Sequence, residues 1–259
     1  MTRVDAARRV VDMGVLLATI APILVLGVQA VSVRWFFPDV IPHSFTLQPL
    51  RSTVTDPNVA SSFVTGLRLS LAVTSVAIVL AWPAARTLAG VGRGLRVAVV
   101  GVLFLPSLLP AVGLAMGVDV MLIRLGLAGT FVGVLLAHLV PALPYVVAVL
   151  TAAFARRDQR IEAQAATLGA GPLQRLRLVT VPSMRGALMV GAALGFVVSW
   201  SQYTMTLLAG SGRVVTLTMV LFAALSGGSP STVAVLSLLV ALPAGALLAA
   251  AGRMSGEPS

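Results

Sequence analysis

Few residues in this chain are equipped for chemistry, and they gather in three places. The largest is the polar stretch from Arg156 to Arg185, RRDQRIEAQAATLGAGPLQRLRLVTVPSMR, which mixes six arginines with Asp158 and Glu162. The second is Ser199, Trp200, Ser201, Gln202, Tyr203 and Thr204, the densest polar run inside the apolar regions. The third is His138, alone among apolar residues beside Pro141 and Pro144. None has the make-up of a catalytic centre. The absence of Cys excludes thiolate catalysis, disulfides and cysteine-based metal sites. His43 and His138 are too few and too far apart in sequence for an obvious metal site. Nucleophilic catalysis would need a paired base, which His138 by itself does not supply. We expect no catalytic residue, no metal and no enzyme activity.

The stretch from Arg156 to Arg185 has a local plan. Asp158 to Leu168 is rich in Ala, Glu, Gln and Leu, all good helix formers. Gly169 can supply the left-handed position that ends a helix, and Pro172 after Gly171 prevents its continuation. Leu173 to Val179 predicts a second short helix, stopping before Pro182 because the residue ahead of a proline disfavours the helical region. A helix, a Gly turn and a second helix make a compact knob rather than a flexible linker.

The elements around this knob are apolar. Hydrophobic residues make up 58% of the 259-residue chain and charged residues only 10%, with a mean hydropathy of +1.01. A soluble domain carries about a quarter charged residues, so this composition cannot cover a water-facing globule. Apolar runs near the roughly 20 residues that cross a bilayer as a helix recur along the chain. The alternating segments of a membrane barrel, about ten residues each, are absent. This predicts an all-α polytopic membrane protein with about six transmembrane helices. They fall at Met13 to Arg34, Val64 to Ala85, Val97 to Val118, Thr130 to Ala153, Gly186 to Leu208 and Thr232 to Ala251. The segment from Phe36 to Ser62, with Pro38, Pro42, Pro49 and Pro57, reads as an irregular external loop. The run at residues 214–225 is short for a span and suits a re-entrant or interfacial piece; counted as spanning, it would give seven.

A net charge of +10 would suit nucleic acid, but here the basic residues fall mainly between apolar spans. All eighteen are Arg. With the amino terminus inside, thirteen of them (Arg3, Arg8, Arg9, Arg86, Arg93, Arg96, Arg156, Arg157, Arg160, Arg175, Arg177, Arg185 and Arg253) lie inside. Five (Arg34, Arg51, Arg68, Arg124 and Arg213) lie at or near the outer side. Cytoplasmic loops carry the Lys/Arg excess, so both termini and the loop from 156 to 185 are expected on the cytoplasmic side. The partner this charge pattern points to is a lipid bilayer, not nucleic acid.

The loop resembles the EAA loop of binding-protein-dependent ABC importer permeases, the MetI-like type I family. That motif reads Glu-Ala-Ala, three residues, Gly, nine residues, Ile, one residue, Leu-Pro. Here Gly169 is followed after nine residues by Val179, Thr180, Val181 and Pro182. The motif's Glu position falls on Ala163, followed by Gln164 and Ala165, while Glu162 sits one residue early. LLAHLVPALPYVVAVL before the loop and SWSQYTMTLLAGSGRVVTLTM after it look like the same family's flanking spans. The resemblance covers roughly residues 60 to 251, with residues 1–35 as an extra amino-terminal span, and implies one permease domain over 1–259. It implies multi-pass insertion in a prokaryotic plasma membrane. It implies three protein partners: a cytoplasmic ATP-binding subunit, a second permease subunit and an external substrate-binding protein. The loop would be the lever seated on the ATPase, through Glu162, Ala165, Ala166, Leu168, Gly169, Ala170, Val179 and Pro182. A phosphate-binding loop needs a Lys after its glycines. Without Lys, this chain would leave ATP hydrolysis to the partner and bind no cofactor itself. The cargo would be a small polar solute such as a polyamine, thiamine, iron(III) or an oxyanion.

Polar groups inside spans are costly and mark functional places. His138, Ser201, Gln202, Tyr203 and Thr204 are the candidates for the translocation path. His138 either lies near the path or locks its proline-kinked helix with a hydrogen bond. The polar run either forms a constriction or supplies hydrogen bonds between helices. Asp119 and Arg124, at the end of the third span, are placed to pair at the outer interface. An ion-gradient-driven secondary transporter is the alternative. It would show broken-helix repeats and coupling carboxylates at mid-membrane, and neither stands out here.

Overall fold

The computed structural model describes residues 3–33, 35, 39, 41–158 and 160–255. Among them, regular structure is helical apart from one isolated bridge between Ser32 and Phe45. The helices are α1 (Arg3–Ala30), α2 (Gln48–Val54), α3 (Pro57–Gly90), α4 (Arg93–Leu108), α5 (Ala111–Arg124), α6 (Phe131–Arg156) and α7 (Arg160–Thr167). They continue with α8 (Pro172–Arg175), a π turn (Leu176–Thr180), α9 (Val181–Ser183), α10 (Arg185–Trp200), α11 (Thr204–Ala209), α12 (Leu217–Gly227) and α13 (Pro230–Ser255). Four stretches are long and apolar enough to cross a membrane: Met13–Ala30, Pro57–Gly90, Phe131–Arg156 and Pro230–Leu247. Two bent helix pairs bring the count to six if each is one span. The chain is an all-α polytopic membrane protein.

Three sequence expectations need correction. The third span is not one helix. The chain breaks at Leu109 and Pro110, and α4 and α5 diverge by 97°. Leu109 precedes a proline and is extended (φ −80°, ψ 149°), as the clash with the following ring demands. The fifth span also breaks, since α10 stops at Trp200 and α11 starts only at Thr204. The proline-rich external segment is partly helical. Pro49 lies in the first turn of α2, and Pro57 starts α3 behind Asp56, whose side chain accepts from Asn58 N at 2.8 Å. A proline costs a helix nothing in that turn, because its missing N–H would have had no partner there. α12 has eleven residues, about 16 Å, and is too short to span.

The molecule packs as two units. One comprises the described parts of 1–63 together with 219–243. Its apolar contact joins Ala30 to Ala234 and Val235, and Thr46 N donates to Val31 O at 2.7 Å. The other comprises 64–218 and the described parts of 244–259. Its core is built for close approach rather than for bulk. α3 lines up Leu69, Val73, Ala77, Ala81 and Ala85, all buried, on a four-residue repeat. Gly191 and Gly195 of α10 face Val146 of α6; a Cβ on Gly195 would stand 3.1 Å from Val146 Cγ2. Small residues at such contacts let helix backbones meet in lipid, where apolar burial drives nothing. Trp82 and Phe154 close one end edge-to-face at 5.1 Å. Both candidate sites belong to this second unit.

Candidate functional site

The knob forms as its residues dictate. Asp158 Oδ1 accepts from Arg160 N at 2.9 Å and starts α7. At the other end Gly169 takes φ +85°, with Gly169 N bonded to Ala166 O and Ala170 N to Ala165 O, both at 3.0 Å. These are the two bonds of a Schellman end, and only a residue without a Cβ adopts that φ at no cost. Gln174 Oε1 then accepts from Gly171 N at 2.9 Å and starts α8.

The second helix does not stop before Pro182, contrary to the sequence expectation. It passes through the π turn and ends at Ser183, with Met184 N bonded to Thr180 O. In an α-helix the Pro182 ring would clash with the carbonyl of Leu178 and leave it without a donor. Widening by one residue shifts the ladder past that position, and such π insertions often mark functional places. The helical segment Pro172–Ser183 then joins α10 across a 73° bend at Met184.

One carboxylate ties the knob to the long helices. Glu162 Oε1 accepts from Arg86 Nη2 of α3 at 2.7 Å, and its Oε2 from Arg157 Nη1, just past α6, at 2.9 Å. Thr180 Oγ1, buried in the π turn, lies 3.4 Å from both Glu162 Oε2 and Arg157 Nη2. The side chains of Glu162 and Arg157 are 14% and 9% exposed, and that of Arg86 is 53% exposed. Burial pushes the Glu162 carboxyl up, but hydrogen bonds from Arg86 and Arg157, with their charges, outweigh it and hold the carboxyl below its ordinary value. A cavity of about 460 Å³ lies against this cluster, with Arg175 on its wall.

Of the predicted loop residues, Glu162 faces inward to these arginines, while Ala166, Leu168, Gly169 and Pro182 are exposed. Ala165, Ala170 and Val179 are half-buried. Leu168 is 87% exposed, and Ile161, Leu173 and Leu178 are exposed beside it in sequence. The anchoring role of Arg86, Arg157 and Thr180 was missed by sequence reasoning, which counted the arginines only towards topology. The available signal was that Glu162 is the sole Glu in a loop full of Arg.

The predicted path residues separate into two groups. Ser201, Gln202 and Thr204 line one cavity of about 310 Å³ together with Ser107, Pro141 and Tyr145. This cavity sits where the break at Leu109–Pro110 and the break between α10 and α11 meet Pro141 of α6. His138 and Tyr203 do not line it. His138 is 1% exposed, with Nδ1 3.0 Å from Ser199 Oγ and Nε2 2.9 Å from Thr206 Oγ1. Thr206 gives its hydroxyl proton to Gln202 O at 2.9 Å, so Nε2 is the donor to Thr206. His138 thereby holds both sides of the break between α10 and α11. The polar run, expected inside one span from Gly186 to Leu208, is not on one helix: α10 ends after two of its six residues, and Thr218 Oγ1 donates to Trp200 O at 2.9 Å. Asp119 and Arg124 do not pair. Five positions apart on α5, they point about 140° from each other, and Asp119 Oδ1 is buried without a hydrogen-bond partner.

No family model matches the sequence. The chain is similar to the inner membrane ABC transporter permease protein YnjC of Escherichia coli, 36% identical over 52% of this chain and 27% of that protein. A putative ABC transporter permease protein of Streptomyces antibioticus is 28% identical over 63% of this chain and 71% of its own length. The trehalose transport system permease protein SugB of Mycobacterium tuberculosis is 26% identical over 71% of this chain and 72% of its own. The match thus spans about a quarter of the first relative's length and under three quarters of the others'. Among solved structures, a chain of a bacterial ABC transporter involved in the import of the acidic polysaccharide alginate superposes with a TM-score of 0.72. It covers 98% of both chains at 16% identity, a likeness of fold.

Proposed function

From its similarity to ABC transporter permeases, we propose that the chain is one of them, forming half of a substrate path across a prokaryotic plasma membrane and driven by a separate cytoplasmic ATPase. The observation that carries this reading is the knob. Its outer surface bears Leu168 and other exposed apolar side chains, while Glu162 ties it inward to α3 and the end of α6. A water-facing loop has no use for such a surface unless a partner covers it. A knob fixed to two long helices and continuous with α10 transmits a rigid-body shift, which a loose loop could not. The arginine distribution favours the cytoplasmic side for this loop and for both termini.

A second permease subunit would close the path, an external binding protein would deliver cargo, and the ATPase would bind and hydrolyse ATP. The cavity beside the two breaks offers hydroxyl and amide groups without charge, which suits a small polar solute. A polyamine, thiamine, iron(III) or a small oxyanion remains in that class. The relatives include permeases of trehalose and 2-aminoethylphosphonate systems, which adds a sugar to it.

Co-purification from membranes tests the reading. The wild-type chain should bring down a cytoplasmic ATPase, and Leu168→Asp or Gly169→Val should lose it while the chain stays inserted. Solute uptake that follows an ion gradient without any ATPase would overturn it.

A further inference from the structure

A second basic site lies apart from the knob and the path. α4 and α6 leave a groove of about 730 Å³ between them, walled by Val97, Val100, Gly101, Ala148, Ala152 and Ala155. One end carries Arg93 and Arg96 from the start of α4 and Arg156 from the last residue of α6. The apolar part continues for two helical turns from Arg93 to Gly101, about 12 Å. α4 has no buried residue, and Val97 is largely exposed.

We propose that this groove binds one anionic phospholipid, its phosphate at the arginines and an acyl chain along the apolar walls. Four observations converge on that ligand. The cations sit at one end only and the walls are otherwise aliphatic, which is the polarity of a lipid at a bilayer surface. Arg96 is held in place by its bonds to Leu88 O, Ala89 O and Val91 O at 2.7–3.0 Å, so its charge is fixed at the mouth. Among the described residues, no carboxylate pairs with Arg93 or Arg156. Thr151 lines the groove at 2% exposure, and its hydroxyl is buried without a partner. That hydroxyl is available to a glycerol or ester oxygen. Basic pockets between spans on the cytoplasmic side recognise anionic headgroups in this way. A second copy of the chain fits less well, because a two-fold contact centred on the groove would set the same arginines against one another. The inference stands on membrane embedding and does not need the transport reading.

The test uses the full-length chain in detergent, with bound lipid counted by native mass spectrometry during titration with phosphatidylglycerol or phosphatidylcholine. Wild type should keep about one phosphatidylglycerol per chain and exchange phosphatidylcholine freely. Arg93→Gln with Arg156→Gln should weaken phosphatidylglycerol about thirtyfold. Gly101→Leu should exclude it by filling the groove, since a Cβ there meets nothing within 4 Å. Arg51→Gln, in α2, should change nothing. Equal retention of the two lipids, or unchanged binding in the double variant, would overturn the proposal. So would efficient disulfide cross-linking of two chains through Val97→Cys, which would place a second copy over the groove.

Discussion

Two breaks in the helical scaffold are tied down in opposite ways. At the knob, Glu162 is gripped by two arginines and a threonine, so the tie is ionic. At the break between α10 and α11, His138 is held by two hydroxyls, so the tie carries no carboxylate and no arginine. The task is alike in both places, because an interrupted helix must stay registered against a long neighbour. The surroundings differ. The knob stands where water can solvate Arg86, whereas α6 and α10 lie in the membrane, where an ionised side chain is expensive. The chain uses charge where charge is cheap and neutral hydrogen bonds where it is not.

That contrast can be broken or sharpened by experiment. The largest effect should come from Glu162→Gln, which leaves Arg157 nearly buried beside an uncharged group. We expect a loss of about 1–3 kcal/mol in unfolding from detergent, with faster proteolysis of the loop. His138→Leu should cost less, about 1–2 kcal/mol, because membrane hydrogen bonds between helices are individually modest. A double-mutant cycle with Thr206→Val should show coupling there and none with Glu162→Gln.

Acidification should loosen the knob's tie. The folded-state carboxyl of Glu162 lies below its ordinary value, so its contribution is present above the unfolded carboxylate range and is lost as pH falls through the lowered value. Protection of the amides in 160–180, measured against their intrinsic exchange rates at each pH, should therefore fall at low pH. The smallest effect should be that of Arg86→Gln, under about 1 kcal/mol, since Arg86 is half-exposed and solvent screens it.

The sequence made the long helices and the knob legible through signals that are local. Apolar length marks a span, and Gly169 ahead of Pro172 marks a turn because each acts on its own backbone. The broken spans were not legible. Leu109 and Pro110 lie inside an apolar run that reads as one span from Val97 to Val118, and nothing in the run Ser199–Thr204 forbids a helix by propensity alone. What ends α10 there comes from elsewhere in the chain, through Thr218 on its last carbonyl and His138 across the gap. The motif's displaced Glu is a similar case. Glu162 looked misplaced for an outward contact, and its position makes sense only once Arg86 and Arg157 are seen facing it.

The central claim is that the outer surface of the knob seats on a cytoplasmic ATPase. The chain has no Cys, so a single Leu168→Cys places one unique thiol there. Cross-linking in native membranes with a short thiol-to-amine reagent is the most direct measurement, with Leu125→Cys at the end of α5 as the comparison. An ATPase adduct that forms at residue 168, not at 125, and falls when the complex is dissociated is the predicted result. Adduct formation at 125 alone, or none at 168 from an intact complex, would contradict it.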